Sequence, residues 1–75
     1  MNKQEWLRQE VEKLDYAVSI KEWGITIDKW QNKFDLDVIC DYNFNSDEIE
    51  FYDNAIPMNH IKQFIAIFEQ YKEME

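Results

Sequence analysis

The segment from residue 34 to residue 61 most constrains what this chain can fold into. It contains seven carboxylates and neither Lys nor Arg. In its first part, apolar residues alternate with acidic residues, and a period of two places one set of side chains in a core and the other in water. The pattern therefore predicts a β-hairpin with one apolar face and one acidic face.

The two arms of this hairpin are predicted over residues 34–42 and 48–52. We expect the first arm to point Phe34, Leu36, Val38, Cys40 and Tyr42 into the core and Asp35, Asp37, Ile39 and Asp41 into water. Asp41 would then lie opposite Glu48 or Glu50, and like charges in that position destabilise a strand pair. Such a face either only keeps the protein soluble or binds a partner.

Helical spacing of apolar residues predicts a helix at each end of the chain, over residues 2–14 and 57–74. The second is the stronger pattern, with apolar residues recurring every three or four positions from Ile61 to Tyr71. Pro57 suits the first turn of that helix, where a missing N–H is tolerated.

Between the first helix and the hairpin, two short alternating runs predict strands over residues 16–22 and 25–30. Gly24 is the only glycine, and it suits a tight turn that requires a positive φ. A single bent strand over residues 16–30 is the alternative. The expected fold is a single α+β domain over residues 1–75, a two-layer domain in which both helices cover one face of a three- to four-stranded antiparallel meander.

The net charge of −8 is concentrated in one part of the chain. Residues 1–30 carry five basic and six acidic groups, whereas residues 31–75 carry three and ten. Binding to nucleic acid or to an anionic membrane needs a basic patch, so neither is expected, and a basic protein partner is favoured. No apolar run approaches the length that spans a bilayer, and the N-terminal residues lack a signal-peptide pattern, so we expect a cytoplasmic protein.

The chain offers little for catalysis or metal binding. It has one His and one Cys, and Cys40 is expected to be a buried apolar residue, so we expect no enzyme and no cofactor. Residues 41–47 begin like a calcium-binding EF-hand loop, but Ser46 replaces the required Gly and Tyr52 replaces the required Glu. Asn and Asp also favour ordinary tight turns, so no metal site is predicted.

The acidic residues of the hairpin are the candidate partner-binding site. Alternate residues on a strand are about 6.6–6.8 Å apart, which is comparable to the spacing of phosphates along a nucleic-acid strand. The expected contact residues are the carboxylates Asp35, Asp37, Asp41, Asp47, Glu48, Glu50 and Asp53, with Tyr42, Phe44, Tyr52 and Trp30 as apolar anchors.

In size, acidity and helix–meander–helix order, and in the segment FDLDVICDYNFNSDEIEFYDN, the chain resembles the small acidic inhibitors that phages and mobile elements encode against host nucleic-acid enzymes. These include anti-CRISPR proteins and other nucleic-acid mimics. The resemblance implies an inhibitor that occupies the basic groove of a partner such as a Cas nuclease. The alternatives are an immunity or antitoxin protein that plugs a nuclease toxin, and a homodimeric structural or assembly protein.

Overall fold

The chain folds as two helices and a four-stranded antiparallel sheet. The computed structural model describes residues 2–52 and 55–74. The elements in chain order are α1 (Lys3–Glu12), β1 (Ala17–Ile20), β2 (Gly24–Trp30), β3 (Leu36–Asn43), β4 (Glu48–Phe51) and α2 (Met58–Glu73). The strands lie in the order β1-β2-β3-β4. This confirms the predicted α+β meander and favours two separate strands over one bent strand between residues 16 and 30.

Local interactions explain where the helices begin and end. The side chain of Asn2 caps α1 by accepting a hydrogen bond from the backbone N–H of Glu5 at 2.8 Å. After α1, Asp15 adopts a φ of 70°, which turns the chain toward β1. Pro57 is the N-cap of α2 rather than part of its first turn. Neither described helix is long and apolar enough to cross a membrane.

Both helices pack on the same face of the sheet. The core comprises Leu7, Val11, Tyr16, Ile25, Ile27, Ile39, Cys40, Tyr42, Phe64, Phe68 and Tyr71. Its centre is the stacked pair of Tyr42 on β3 and Phe68 on α2, whose ring centroids are 4.3 Å apart. Because α1 and α2 share this face, neither helix covers the opposite face of the sheet, which we call the outer face.

The pairing of β2 with β3 contains a bulge that the sequence pattern does not predict. Ile27 pairs with Cys40, but the next residue, Asp28, pairs with Val38, so Ile39 is an extra residue on β3. A bulge places two residues of one strand opposite one residue of its partner, which shifts the alternation of faces. Accordingly, the consecutive residues Ile39 and Cys40 are both fully buried.

The bulge reverses the predicted faces of the first half of β3. The sequence pattern places Phe34, Leu36 and Val38 in the core, but they are 88%, 41% and 39% exposed. Ile39, which the pattern points into water, is buried instead. Phe34 lies before the strand, in a turn that the side chain of Asn32 stabilises. The side-chain oxygen of Asn32 accepts a hydrogen bond from the backbone N–H of Phe34 at 2.8 Å.

The register shows which residues share the outer face beyond the bulge. Leu36 is directly opposite Trp30, and both lie on the same face as Asp28. Asp37 is opposite Lys29, on the face that carries the helices. Asp37 and Asp41, predicted to share one acidic face, therefore lie on opposite faces of the sheet.

Gly24 is required for a different reason from the one predicted. Its φ is not positive, and it is the first residue of β2. A Cβ atom at this position would lie 1.8 Å from the carbonyl oxygen of Tyr42 on the neighbouring strand. Gly24 therefore allows a close approach of two backbones.

We predict that Gly24→Ala destabilises the fold by about 3 kcal/mol or more, because the added methyl group would overlap backbone that cannot move independently. Urea denaturation followed by circular dichroism would measure the free energy of unfolding. Ser19→Ala, at an exposed position of β1, is the matched control. An unchanged free energy of unfolding in Gly24→Ala would contradict this close packing of backbones.

Candidate functional site

Carboxylates from three strands meet on the outer face. Asp41 of β3 is directly opposite Glu50 of β4, which confirms the predicted juxtaposition of like charges, and Glu48 lies two residues before Glu50 on the same face. On its other side Asp41 is opposite Thr26, and Asp28 lies two residues farther along β2. We call Asp28, Asp41, Glu48 and Glu50 the outer acid cluster.

Asp41 lies at the centre of this cluster, and only one of its oxygens has a hydrogen-bond partner among the described residues. The hydroxyl of Tyr52 donates to its Oδ2 at 2.5 Å. This bond to a carboxylate raises the pKa of Tyr52 to about 12, since ionisation of the phenol would break it. The other oxygen, Oδ1, is buried and has no hydrogen-bond partner within residues 2–52 and 55–74.

Asp28 is in a similar position at the edge of the cluster. Its Oδ1 is also buried without a hydrogen-bond partner among the described residues. Burial raises the pKa of Asp28, the charge of Asp41 raises it further, and Lys21 lowers it in part. The outer face therefore holds carboxylate charge that is incompletely compensated within the described part of the chain, and a cation from outside would compensate it.

Beside the cluster lies a shallow depression of about 380 Å³. Its lining includes Trp23, Asp41, Asn43, Ser46, Glu48 and Glu50. The indole of Trp23 is exposed at the end of the β1–β2 turn. An aromatic ring beside carboxylates is a favourable environment for a guanidinium or ammonium group, which can stack on the ring and donate charge-assisted hydrogen bonds to the carboxylates. Among residues 2–52 and 55–74, no group of His, Cys, Asp and Glu side chains is placed to hold a metal ion.

Asp47, another predicted contact residue, forms hydrogen bonds with other residues of the chain. It adopts a φ of 56° in the β3–β4 turn. Its Oδ1 accepts a hydrogen bond from the hydroxyl of Tyr42, and its Oδ2 accepts one from Nζ of Lys72, both at 2.8 Å. The bond from Lys72, and then that from Tyr42, lowers the pKa of Asp47. Asp47 therefore ties the hairpin turn to α2.

The remaining predicted carboxylates do not join the outer acid cluster. Asp35 lies before β3 and accepts a hydrogen bond from Nδ2 of Asn32 at 2.8 Å. Asp37 is on the helix-bearing face, opposite Lys29. Asp53 lies outside the described residues. The acidic surface is therefore a compact cluster rather than the two-row array that the sequence predicts.

Two of the four predicted apolar anchors are exposed. Tyr42 is only 2% exposed because it is stacked against Phe68, so it cannot reach a partner. Phe44 is half-buried against Tyr71, with 5.1 Å between ring centroids. Tyr52 and Trp30 are the exposed pair, and both adjoin the outer acid cluster.

Cys40 and His60 have no shared site in the structure. Cys40 is fully buried, and burial is the main reason that the pKa of its thiol rises to about 12. His60, in the first turn of α2, is hydrogen-bonded through Nδ1 to the hydroxyl of Tyr16 at 2.7 Å. The prediction that Cys40 is a core residue is confirmed.

The contact residues predicted from the sequence do not include four residues of this surface: Trp23, Asp28, Leu36 and Val38. Asp28 carries a signal that could identify it, because it alternates with buried residues along β2 in the same phase as Trp30. The position of Trp23 in a predicted turn indicates an exposed aromatic residue that suits binding, but not its place beside Asp41. Alternation assigns Leu36 and Val38 to the core, and only knowledge of the bulge corrects that assignment.

Comparison of the chain with protein-family models, with curated proteins and with solved structures finds no match.

We predict that Asp47→Asn makes the stability of the fold less sensitive to acid. A lowered pKa means that the carboxylate stabilises the folded state above the ordinary value of 3.8, and that this stabilisation is lost as the pH falls through the lowered pKa. Asn tolerates the positive φ and still accepts a hydrogen bond from Tyr42. Urea denaturation at neutral pH and at about pH 2.5 would compare the two proteins.

In this experiment the parent chain should lose more free energy of unfolding between the two pH values than the Asp47→Asn variant does. Glu12→Gln, the same charge change at an exposed position of α1, should behave like the parent. An equal loss in the parent and in Asp47→Asn would contradict the internal role of Asp47.

Proposed function

We propose that this chain is a small inhibitory binding protein whose outer acid cluster occupies the basic nucleic-acid groove of a partner enzyme, such as a Cas nuclease or another host defence enzyme. It acts in the cytoplasm by competing with nucleic acid, and it needs no chemistry of its own. The chain resembles phage-encoded inhibitors in size and acidity, and this resemblance supports the proposal.

The observation that carries the proposal is the environment of Asp41. Glu50 lies directly opposite Asp41 on β4, and Asp28 lies diagonally from it on β2, on a sheet face that neither helix covers. Buried oxygens of Asp28 and Asp41 have no hydrogen-bond partner among the described residues. Arg or Lys side chains of a partner would supply the opposite charge to the cluster and would donate hydrogen bonds to its exposed carboxylates, Glu48 and Glu50, so the interface would gain energy that the free protein lacks.

The overall charge supports a basic partner and disfavours direct contact with nucleic acid. The net charge is −8, and most of it lies C-terminal to residue 30. A protein with this charge is repelled by phosphates and attracted to basic grooves, where charge complementarity accelerates association. The same interaction weakens as salt is added, because mobile ions screen exposed charges.

The spacing of the outer acid cluster supports nucleic-acid mimicry. Directly opposite residues such as Asp41 and Glu50 have Cβ atoms about 4.5–5.5 Å apart, and alternate residues such as Glu48 and Glu50 are about 6.6–6.8 Å apart. A groove that binds successive phosphates offers cations at comparable intervals. The cluster would therefore imitate a short run of phosphates.

The experiment that tests this proposal captures partners on immobilised protein from bacterial lysates at low salt. The parent chain is compared with Asp41→Asn/Glu48→Gln/Glu50→Gln, which removes three charges from the outer face. The matched control removes three exposed charges elsewhere, through Glu12→Gln/Glu22→Gln/Glu69→Gln. Any nucleic-acid enzyme retained by the parent is then purified, and its binding to DNA or RNA is measured with and without each protein.

We expect the parent and the control to retain the same enzyme and to compete with its nucleic acid, whereas the outer-face variant loses about 100-fold or more in affinity. Three charge-assisted contacts at an interface account for a loss of this size. The proposal is wrong if the outer-face variant binds as well as the parent, or if the captured enzyme still binds nucleic acid normally. The identity of the enzyme separates a defence-system inhibitor from an immunity protein.

A further inference from the structure

The outer face has an exposed apolar end next to the outer acid cluster. Trp30 of β2 is 49% exposed, and Leu36, directly opposite on β3, is 41% exposed. Val38 lies on the same face and is 39% exposed. We call Trp30, Leu36 and Val38 the apolar end. Phe34, 88% exposed, precedes it in the β2–β3 loop.

The apolar end and the outer acid cluster form one continuous surface. Val38 is directly opposite Asp28, a member of the acid cluster. Along β2, Trp30 is four residues from Thr26, which is opposite Asp41, so Trp30 and Asp41 are about 13 Å apart along the strand direction at a rise of about 3.3 Å per residue. A partner that covers Asp41 would therefore reach Trp30 with an interface of ordinary size.

The area of the apolar end indicates what kind of contact it makes. Its half-exposed side chains offer far less than the roughly 800 Å² per partner that a stable interface buries. A second copy of this chain would also bring another acidic face, which is unfavourable at a net charge of −8. The apolar end is therefore suited to a part of a larger interface with a basic partner, in which a buried Trp is a typical hot spot.

We propose that Trp30 and Leu36 insert into an apolar pocket that lies beside the basic groove of the partner, about 13 Å from the cations that contact Asp41. This inference rests on the proposed function and adds a second recognition element to it. The carboxylates accelerate association and make it sensitive to salt, whereas the apolar end contributes affinity that salt does not screen. A groove with basic residues but no adjacent apolar pocket would bind more weakly, so the apolar end would discriminate among basic proteins.

Two synthetic peptides test this inference. Each begins with about six arginines and continues with a Gly-Ser spacer of about four residues, which spans about 13 Å when extended. One peptide ends in the apolar sequence Leu-Phe-Leu and the other in Ser-Ser-Ser. Isothermal titration calorimetry at low and high salt would measure the affinity of the parent chain for each peptide.

We expect the parent chain to bind the apolar peptide about tenfold more tightly than the Ser peptide, with a ratio that does not fall at high salt. Trp30→Ser/Leu36→Ser should lose this preference and retain its affinity for the Ser peptide. Ile65→Ser, which alters a side chain on α2 with the same 41% exposure as Leu36, should retain the preference. Because all the altered side chains are exposed, circular dichroism should show that the variants are folded.

The outcomes separate this inference from the proposed function. If neither peptide binds, both proposals fail. If both peptides bind equally, the acidic surface stands and the apolar end has no role in binding. Sedimentation of the parent chain adds a further test, because a dimer that Trp30→Ser/Leu36→Ser dissociates would show that the occupant is a second copy and would overturn the inference.

Discussion

The bulge at Ile39 is the constraint on which the surface of this protein depends. It lets β3 bury two consecutive residues, Ile39 and Cys40, against the helices. The same extra residue moves Leu36 and Val38 to the outer face while Asp41 stays there. One local irregularity thus places apolar and acidic residues together on a face that neither helix covers. Bulges often redirect side chains near functional sites.

The helix-bearing face of the sheet stabilises the fold, whereas the outer face contains features that destabilise it. The helix-bearing face is stabilised by aromatic packing, centred on Tyr42 and Phe68, and by the bridge from Asp47 to Lys72. The outer face instead holds like charges directly opposite each other and buried carboxylate oxygens without hydrogen-bond partners among the described residues. A surface that destabilises its own fold is expected where binding, rather than stability, determines the residues. This contrast is the physical reason for assigning the outer face to a basic partner.

The sequence is sufficient to predict the order of elements, because helical periodicity and alternation are local signals. It also predicts that Asp41 faces an acidic residue of β4, since alternation resumes after the bulge. The bulge coincides with a break in the alternation, because Ile39 is apolar where the pattern requires a polar residue, but this break alone does not show whether the strand bulges there or exposes Ile39. Tyr42 stacks on Phe68, and Asp47 accepts a hydrogen bond from Lys72. Both partners lie on α2, which is distant from the hairpin in the sequence, so local patterns do not predict these contacts. Alternation alone therefore assigns to the acidic site residues that lie on the other face, such as Asp37, or that stabilise the fold, such as Asp47.

A nuclear Overhauser measurement of the register between β2 and β3 in the isotope-labelled protein would show whether the bulge at Ile39 places Leu36 and Val38 on the outer face. The bulged register predicts close cross-strand backbone contacts for Asp28 with Val38 and for Trp30 with Leu36, alongside Ile27 with Cys40. Contacts of Asp28 with Ile39 and of Trp30 with Asp37 would show a regular ladder without a bulge. That result would return Leu36 to the core face and contradict the composite acidic and apolar surface.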